Sequence, residues 1–176
     1  EVITGLGRMG AYTGAEEFGV TPDILVIGKG LGGGVIPMSA IIAREDLNVL
    51  PTKALGHYTH EKSSVGCAAA LATIDCLYED KLIENSVSLG IKGLEFLKNM
   101  KSEHSIISDV RGLGLFFGIE LRVDGEPALK EAEAMMYHSL SNGLSYKIGG
   151  GCIITLCPPL NISEKELFSA FEIINA

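Results

Sequence analysis

The amino-acid sequence predicts an α/β fold, in which residues 1–104 form part of a mostly parallel sheet domain and residues 105–176 form a small α+β domain. Two short runs of continuous apolar residues, Ile24–Ile27 and Met38–Ala43, are typical of strands that are buried on both faces. Helical periodicity follows over residues 81–101, and strand-like alternation begins at Gly112. This order of patterns predicts two domains.

The individual elements follow from local signals along the chain. The alanine-rich run over 65–78 contains no helix breaker and predicts a buried helix. Residues 112–121 alternate between apolar residues and mostly glycine, which predicts one strand with a nearly bare second face. A helix over 127–142 and a strand over 152–156 follow, and Ser163 with Glu166 forms a capping box before the last helix.

The composition excludes several classes of protein. The 176 residues carry a net charge of −8 without a cluster of basic residues, which disfavours a nucleic-acid partner. No apolar run reaches the roughly 18 residues that cross a bilayer, and no secretory signal is present, so we expect no membrane partner and a cytoplasmic location. The four cysteines form no CxxC pair and are expected to be reduced.

The stretch DILVIGKGLGGG, residues 23–34, places Lys29 among five glycines directly after a predicted strand. It matches the dinucleotide pattern GxGxxG, but another strand-like run follows instead of the helix whose N-terminus binds the pyrophosphate. A phosphate-binding P-loop is excluded because Gly30 follows Lys29 where serine or threonine is required. Two interpretations remain: a solvated turn lysine, or a partly desolvated nucleophile that forms a Schiff base.

Several segments resemble the class III (subgroup II) aminotransferases, which depend on pyridoxal phosphate. PDILVIGKGLGGGVIPMSAIIAR resembles the segment that carries their cofactor-binding lysine, and EVITGLGRMG resembles their loop Asp-Glu-Val-Gln-Thr-Gly-x-Gly-Arg-x-Gly. HYTHEKSSVGCAAALATID, DVRGLGLFFGIEL and LCPPLNISEKEL extend the agreement over nearly the whole chain, and THEKSS is similar to the dialkylglycine-decarboxylase-like branch. The chain therefore resembles the C-terminal portion of such an enzyme, and we expect it to be a fragment.

The resemblance implies a fold, a cofactor and a set of roles. The fold would be part of the large domain of a fold type I transferase followed by the small C-terminal domain, in a homodimer whose active sites lie at the interface. Lys29 would bind pyridoxal 5′-phosphate as a Schiff base and then act as general base and acid. Thr59 would bind the cofactor phosphate of the neighbouring subunit. His57 and His60 are interpreted as loop residues, and no metal site is predicted.

The chain departs from the family pattern at two positions that bear on the substrate. Ile3 stands where the family usually has a glutamine near the phenolic oxygen of the cofactor, and isoleucine has no hydrogen-bond donor. Thr155 stands where many members have an arginine that binds the α-carboxylate of the substrate through two parallel hydrogen bonds. This second difference favours ω-amino substrates, amino-acid amides or a racemase over an ornithine-type reaction.

The predicted function is a pyridoxal-phosphate-dependent aminotransferase that moves an amino group from a small amine or amino acid, such as 4-aminobutyrate or a related ω-amino compound, to a keto acid. A racemase, an epimerase or a decarboxylase of the same family is the alternative. Outside that chemistry, an NAD-binding oxidoreductase and a catalytically inactive paralogue remain open.

Overall fold

A computed structural model describes residues 1–50, 52–54, 56 and 58–176, and this part of the chain divides into two compact units. The first unit comprises residues 1–7 and 11–82, and the second comprises residues 8–10 and 83–176. The division lies close to the start of the long helix, whereas the sequence predicts a domain boundary after residue 104. That boundary stays a prediction.

The described residues of the first unit form two helices, one pair of strands and two short 3₁₀ turns. The helices are α1 (Gly14–Glu17) and α2 (Ser64–Glu79), the strands are β1 (Ile24–Ile27) and β2 (Ala40–Ala43), and the 3₁₀ turns span Lys29–Gly32 and Glu45–Leu47. The two strands pair antiparallel, with Ile24 opposite Ala43 and Ile27 opposite Ala40. The predicted strands are therefore present, but the parallel direction that we expected for this region is not found among the described residues.

The strands of the first unit are also less buried than the sequence predicts. Ile24 is 56% exposed and Val26 is 43% exposed, whereas Ile27 is buried with Leu31 and Ala70. A continuous apolar run predicts burial on both faces because such strands usually lie inside a larger sheet. In the described residues β1 has one neighbouring strand, β2, so much of its apolar surface stays exposed.

The second unit is an antiparallel sheet with three helices. The helices are α3 (Leu82–Glu103), α4 (Leu129–Ser141) and α5 (Glu164–Asn175), and the strands are β3 (Ile107–Leu113), β4 (Phe116–Val123), β5 (Glu126–Pro127), β6 (Lys147–Gly149) and β7 (Ile153–Leu156). The strand order is β3-β4-β7-β6, and β5 pairs with β4. All of these pairs are antiparallel, as the α+β prediction for this region allows.

The prediction of one continuous strand over 112–121 is wrong. The chain turns at Gly114, where φ is +54°, and strands β3 and β4 form a hairpin around this point. Phe117, Ile119 and Leu121 of β4 share the buried face of the sheet, whereas Leu113 of β3 pairs with Phe116 and lies on the opposite face, so the alternation in sequence does not correspond to one strand. Glycine adopts this backbone conformation without the steric cost that a Cβ adds, which explains the break.

The core of the second unit lies between one face of the sheet and the helices. Phe117, Ile119 and Leu121 of β4 are almost fully buried there. The Phe117 ring meets Phe171 of α5 edge to face, with ring centroids 5.6 Å apart, which is a favourable aromatic geometry. Helix α5 begins with the predicted capping box, which is confirmed: the Ser163 side chain accepts from the Glu166 N–H, and the Glu166 carboxylate accepts from the Ser163 N–H.

Residues 8–10 pack into the second unit through unusually close backbone contacts. The carbonyl oxygen of Arg8 accepts hydrogen bonds from the Leu115 N–H at 3.0 Å and from the Ser86 hydroxyl at 3.2 Å. A Cβ on Gly114 would lie 2.5 Å from that oxygen, and a Cβ on Gly90 would lie 2.5 Å from the Gly114 carbonyl oxygen. These glycines therefore allow three backbone segments to meet.

Among the helices of the described residues, none combines the length and the apolar content needed to cross a membrane.

Candidate active site

Lys29 lies at the point where β1 ends and a 3₁₀ turn begins. Gly28 precedes the turn in an extended conformation, and the Leu31 N–H donates to the Gly28 carbonyl oxygen at 3.2 Å. The side chain of Lys29 is exposed, and its amine makes no hydrogen bond or salt bridge with the described residues. The partial desolvation that we expected from a buried strand is absent here, because β1 itself is largely exposed.

The backbone of Lys29 adopts an uncommon conformation. Its φ of +46° lies in the left-handed region, which costs a residue with a Cβ about 1–2 kcal/mol. Four other non-glycine residues of the described chain share a positive φ: Leu6, Lys62, Lys81 and Asp124. Asp124 lies in a turn between strands, where such angles are common, and Lys81 lies between two helices. Lys29 adopts this unfavourable conformation between Gly28 and Gly30. Backbone strain of this kind is frequent at functional sites.

The surroundings of Lys29 are compatible with a flat aldehyde cofactor. Gly33 and Gly34 have φ values of +67° and +75°, and a Cβ on Gly34 would meet nothing within 4 Å. Gly34 thus leaves open space in the loop that follows the lysine, and the Lys29 amine, which has no partner among the described residues, is the kind of group that condenses with the aldehyde of pyridoxal phosphate. The residues of this turn fit the cofactor-binding role that the resemblance implies.

Thr59 lies in an exposed turn of the first unit, so its hydroxyl is accessible to a phosphate. His60 follows it and is exposed as well, whereas His57 lies outside the described residues. The described residues contain no group of three or more histidine, cysteine, aspartate or glutamate side chains that is placed to bind a metal ion.

The loop that carries Ile3 is fixed by the carboxylate of Glu1. This carboxylate accepts hydrogen bonds from the Thr4 hydroxyl and from the N–H groups of Gly14 and Ala15, both at 2.9 Å. Burial raises the pKa of Glu1, but these hydrogen bonds outweigh it and the pKa lies below its ordinary value. Ile3 itself is 49% exposed, so the loop presents an apolar side chain where the family pattern has glutamine.

Thr155 lies on the outer face of the sheet in the second unit. Ile154 and Leu156 point into the core, so the half-buried Thr155 points away from it. The strand register places Gly118 of β4 on one side of Thr155 and Lys147 of β6 on the other, and Arg111 of β3 lies opposite Gly118. Four residues thus form one row across this face: Arg111, Gly118, Thr155 and Lys147.

The Arg111 end of this row is an ion network. Arg111 donates to Asp109 at 2.5 Å and to Glu120 at 3.1 Å, and Arg122 donates to Glu120 at 2.8 Å. The hydrogen bond from Arg111 holds the pKa of Asp109 below its ordinary value, and those from Arg122 and Arg111 lower the pKa of Glu120. Each carboxylate here already has a cationic partner.

Two features of the second unit were not found by sequence reasoning. Lys147 pairs with Thr155 only because β6 returns antiparallel to β7, and no local pattern predicts that register. Arg8 donates to the carbonyl oxygens of Leu115 and Pro158, both at 2.9 Å or less. The sequence signal for Arg8 is the Gly-Arg pair in EVITGLGRMG. Arg8 stabilises the segment directly after β7, which contains Cys157 and Pro158.

Comparison with known proteins identifies relatives with two kinds of chemistry, an ammonia-lyase and a racemase. The (R)-1-hydroxy-2-aminoethylphosphonate ammonia-lyase of Vibrio splendidus is 43% identical over 176 residues, which cover 98% of this chain and 37% of that protein. The leucine/methionine racemase of Thermococcus litoralis is 38% identical over 172 residues, which cover 95% of this chain and 38% of the racemase. The chain thus spans less than half the length of these relatives.

The solved structures agree with this similarity. A structure of the ornithine δ-aminotransferase of Plasmodium falciparum is similar to this chain, with a TM-score of 0.91 and 32% sequence identity. The superposition covers 99% of this chain and 45% of the aminotransferase chain. This likeness confirms the predicted fold class, a partial α/β transferase fold. The family model for class III aminotransferases matches residues 1–176. The chain belongs to the class III aminotransferase family.

Proposed function

We propose that this chain is part of a pyridoxal-phosphate-dependent enzyme that transfers the amino group of a small amine or amino acid to a keto acid. The observation that carries the proposal is Lys29, an exposed and unpaired amine held at a positive φ between glycines. Lys62 and Lys81 are exposed turn lysines with a positive φ as well, so what distinguishes Lys29 is its place directly after β1 among five glycines. Membership of a family of cofactor-dependent enzymes supports the same role.

Each proposed role follows from the chemistry of the side chain. When bound, pyridoxal phosphate supplies an aldehyde that condenses with amines and a ring that withdraws electrons from the adjacent carbon. The Nζ atom of Lys29 would hold that group in the resting enzyme, and it would afterwards accept and return a proton of the substrate. The hydroxyl of Thr59 would donate a hydrogen bond to the phosphate of the group held in the partner subunit.

The substrate class follows from Thr155. Arginine binds a carboxylate with two parallel hydrogen bonds, and a threonine hydroxyl supplies neither the charge nor the second bond. We therefore propose a substrate that does not depend on an α-carboxylate contact at this position, such as 4-aminobutyrate or a related ω-amino compound. Ile3 adds an apolar contact in place of a hydrogen bond to the cofactor.

A second candidate function is the release of ammonia from a small amine that carries a phosphonate. The 43% identity with the ammonia-lyase of Vibrio splendidus favours it, since that protein acts on an aminoethylphosphonate. A lyase shares Lys29 and the cofactor with an aminotransferase but consumes no keto acid. The 38% identity with a racemase likewise keeps amino-acid racemisation as an alternative.

We also propose that the functional unit is a homodimer with the active site at its interface, since Thr59 is assigned to the cofactor of the partner subunit. The exposed apolar side chains of the first unit support an additional packing partner, and they include Ile41 at 71% and Val35 at 81% exposure. Sedimentation of the full-length protein tests this proposal, and a monomer that remains fully active would contradict it.

The decisive experiment uses the full-length protein with its cofactor. Borohydride reduction should attach the cofactor irreversibly to the peptide that contains Lys29, which mass spectrometry detects. The amine and keto acid are then supplied together or singly. Turnover only with both indicates transfer, ammonia release without a keto acid indicates a lyase, and loss of optical activity from one enantiomer indicates a racemase. A cofactor attached to a different lysine would refute the assignment.

A further inference from the structure

We propose that a cavity of the second unit, enclosed by helices α3, α4 and α5 and by the sheet, binds an uncharged and mostly apolar small molecule that carries one oxygen atom, such as an alcohol or a ketone. The described residues that line this cavity lie between positions 100 and 176, all within the second unit. The proposal goes beyond the proposed function and does not rest on it, because the site includes neither Lys29 nor Thr59.

The size of the cavity suits a ligand of about two rings. Its volume is about 390 Å³. Small-molecule sites usually measure roughly 300–1,000 Å³. Since an apolar cavity of about 150 Å³ holds one benzene molecule, two fused rings with a short polar arm fit within the space available here.

The inner wall of the cavity is apolar and rigid. Met100 of α3, Ile107 of β3, Ile119 of β4 and Ile174 of α5 line it, and each of them is at most 6% exposed. All four side chains belong to the core cluster of the second unit, so packing fixes their positions. A wall of this kind favours a ligand whose surface is largely apolar, because burial of that surface drives binding.

The charges of candidate ligands decide which of them can enter. None of the described residues that line the cavity is a lysine, an arginine, an aspartate or a glutamate. A carboxylate, a phosphonate or an ammonium group would therefore leave water without meeting an opposite charge, which is costly. The cavity thus selects against charged amines and keto acids and favours an uncharged molecule.

Two polar side chains that line the cavity bind each other. The Nε2 atom of His104, just after α3, lies 2.9 Å from the Oδ1 atom of Asn175 in α5. Because an amide oxygen only accepts, the Nε2–H of His104 is the donor. This bond joins the ends of two helices beside the cavity and uses polar groups that would otherwise favour water in it.

Ser139 of α4 is the polar group that we assign to the ligand. It lines the cavity and is only 1% exposed. The hydroxyls of Ser102 and Ser141, which also lie in helices, donate to backbone carbonyl oxygens of their own helices. Among the described residues, the hydroxyl of Ser139 is bonded instead to that of Tyr146, at 3.2 Å.

The pair of hydroxyls leaves one hydrogen without an acceptor. Burial raises the pKa of Tyr146 and outweighs the opposite effect of its hydrogen bond with Ser139, so the phenol keeps its proton at neutral pH. With Tyr146 as the donor of the bond between them, the hydrogen of Ser139 is available to an oxygen atom in the cavity. One buried donor in an apolar cavity matches a ligand with one alcohol or ketone oxygen.

The test measures binding of naphthylmethanol, an uncharged alcohol with two fused rings, to the full-length holoenzyme. Isothermal titration calorimetry at about pH 8, where histidine is ordinarily neutral, should give a dissociation constant below about 1 mM. Ala134→Phe adds a ring at an exposed residue of α4 that lines the cavity, and it should weaken binding by about tenfold or more. The matched control is Glu133→Phe, which adds the same ring at the preceding exposed residue, outside the cavity, and should leave binding unchanged.

Two further variants test the hydrogen bond. Ser139→Ala should weaken binding of naphthylmethanol about three- to tenfold, the usual effect of one lost hydrogen bond. Tyr146→Phe removes the partner of Ser139 but keeps the serine hydroxyl, so the affinity should change by less than about twofold. Equal losses in the two variants would indicate that the pair acts through packing, and the assignment of Ser139 to the ligand would be wrong.

Charge and competition give the outcomes that overturn the proposal. Naphthoate, which has the same rings and a carboxylate, should bind about tenfold more weakly or worse. The proposal fails if naphthylmethanol does not bind, if Ala134→Phe binds it as well as the wild type, or if naphthoate binds equally well. Competition between naphthylmethanol and the amine substrate would place the ligand in the active site and would refute the proposal too.

Failure of the proposed function gives a different result. Binding in this cavity requires no chemistry at Lys29, so Lys29→Ala should bind naphthylmethanol as the wild type does. Borohydride labelling of Lys29 together with absent binding of naphthylmethanol refutes the cavity site alone.

Discussion

The two units of this chain differ in how completely they bury their own apolar residues. In the second unit sixteen buried residues form one cluster, which includes Phe117 and Phe171. Among the described residues of the first unit, the corresponding cluster has three buried members, Ile27, Leu31 and Ala70. Yet the first unit contains Lys29 and Thr59, the residues to which the resemblance assigns the cofactor. Most of the buried apolar residues therefore lie in the second unit, whereas the proposed cofactor-binding residues lie in the first.

The glycines of the two units show the same difference. Gly90 and Gly114 of the second unit allow backbone segments to touch, since a Cβ on either would lie 2.5 Å from a carbonyl oxygen. Gly34 of the first unit has a φ of +75° and open space around it. Gly90 and Gly114 thus serve backbone packing, whereas Gly34 serves the shape of the loop that follows Lys29. Substitutions in the two units should accordingly have different kinds of effect.

The largest effect is expected for Lys29→Ala in the full-length holoenzyme. Loss of the amine should lower kcat by at least about 100-fold, because it removes both the cofactor attachment and the general base. The melting temperature of the apoenzyme should change little, since the side chain is exposed and unpaired. The matched control is Lys81→Ala, which removes an exposed lysine that also has a positive φ, of 52°. Equal losses of activity in both variants would contradict a special role for Lys29.

Gly90→Ala should have the largest effect on stability. Alanine is favoured over glycine in a helix, but its Cβ would lie 2.5 Å from the Gly114 carbonyl oxygen. Because this backbone cannot retreat easily, we expect the free energy of unfolding to fall by about 3 kcal/mol or more, as measured by urea denaturation. The matched control lies in helix α2 of the first unit: a Cβ on Gly66 makes only ordinary contacts, 3.5 Å at the shortest. Gly66→Ala should be neutral or stabilising by up to about 1 kcal/mol. If the two variants behaved alike, the contrast between the units would fail.

A smaller effect is expected at the start of α5. Ser163→Ala removes the hydroxyl that accepts the Glu166 N–H at 3.3 Å and leaves one N–H at the helix start without its partner. The free energy of unfolding should fall by about 1 kcal/mol, the usual cost of losing an N-cap. Ser163→Thr retains the hydroxyl and should recover most of this loss. Equal destabilisation by both substitutions would indicate a packing effect instead of capping.

The smallest effect is a dependence of stability on pH, to which carboxylates of the second unit contribute together with Glu1 of the first. Arg111 lowers the pKa of Asp109, the hydrogen bonds from Arg122 and Arg111 lower that of Glu120, and those from Ser163 lower that of Glu166. A carboxylate with a lowered pKa in the folded state contributes stability above its unfolded pKa of about 4, and this contribution disappears as the pH falls through the folded pKa. Unfolding measured between pH 6 and pH 3 should show this loss.

Arg111→Met tests the origin of the pH dependence. It should flatten the acidic part of the stability profile, and added salt should flatten the wild-type profile as well, because the side chains of Arg111 and Asp109 are about half exposed to solvent. A wild-type profile that Arg111→Met leaves unchanged would assign the acid sensitivity to other carboxylates.

Sequence reasoning was most successful where a structure depends on neighbouring residues. The run Ile24–Ile27 forms a strand with the predicted bounds, and the capping box at Ser163 is present. It failed where the outcome depends on which segments meet: the alternation over 112–121 contains a turn at Gly114, and β1 pairs antiparallel with β2. A pattern of alternation specifies which face a residue occupies and leaves open whether the strand turns back.

For the candidate site, too, the sequence identified local patterns but not the contacts between distant segments. The sequence by itself identified Lys29, since a lysine between glycines after an apolar run is a local pattern, and it identified the family through motifs that span the chain. Only the tertiary structure placed Lys147 opposite Thr155 and brought Gly90 against Gly114. Such contacts join residues that are distant in sequence, and they follow from strand register and from the packing of backbones, neither of which local propensity encodes.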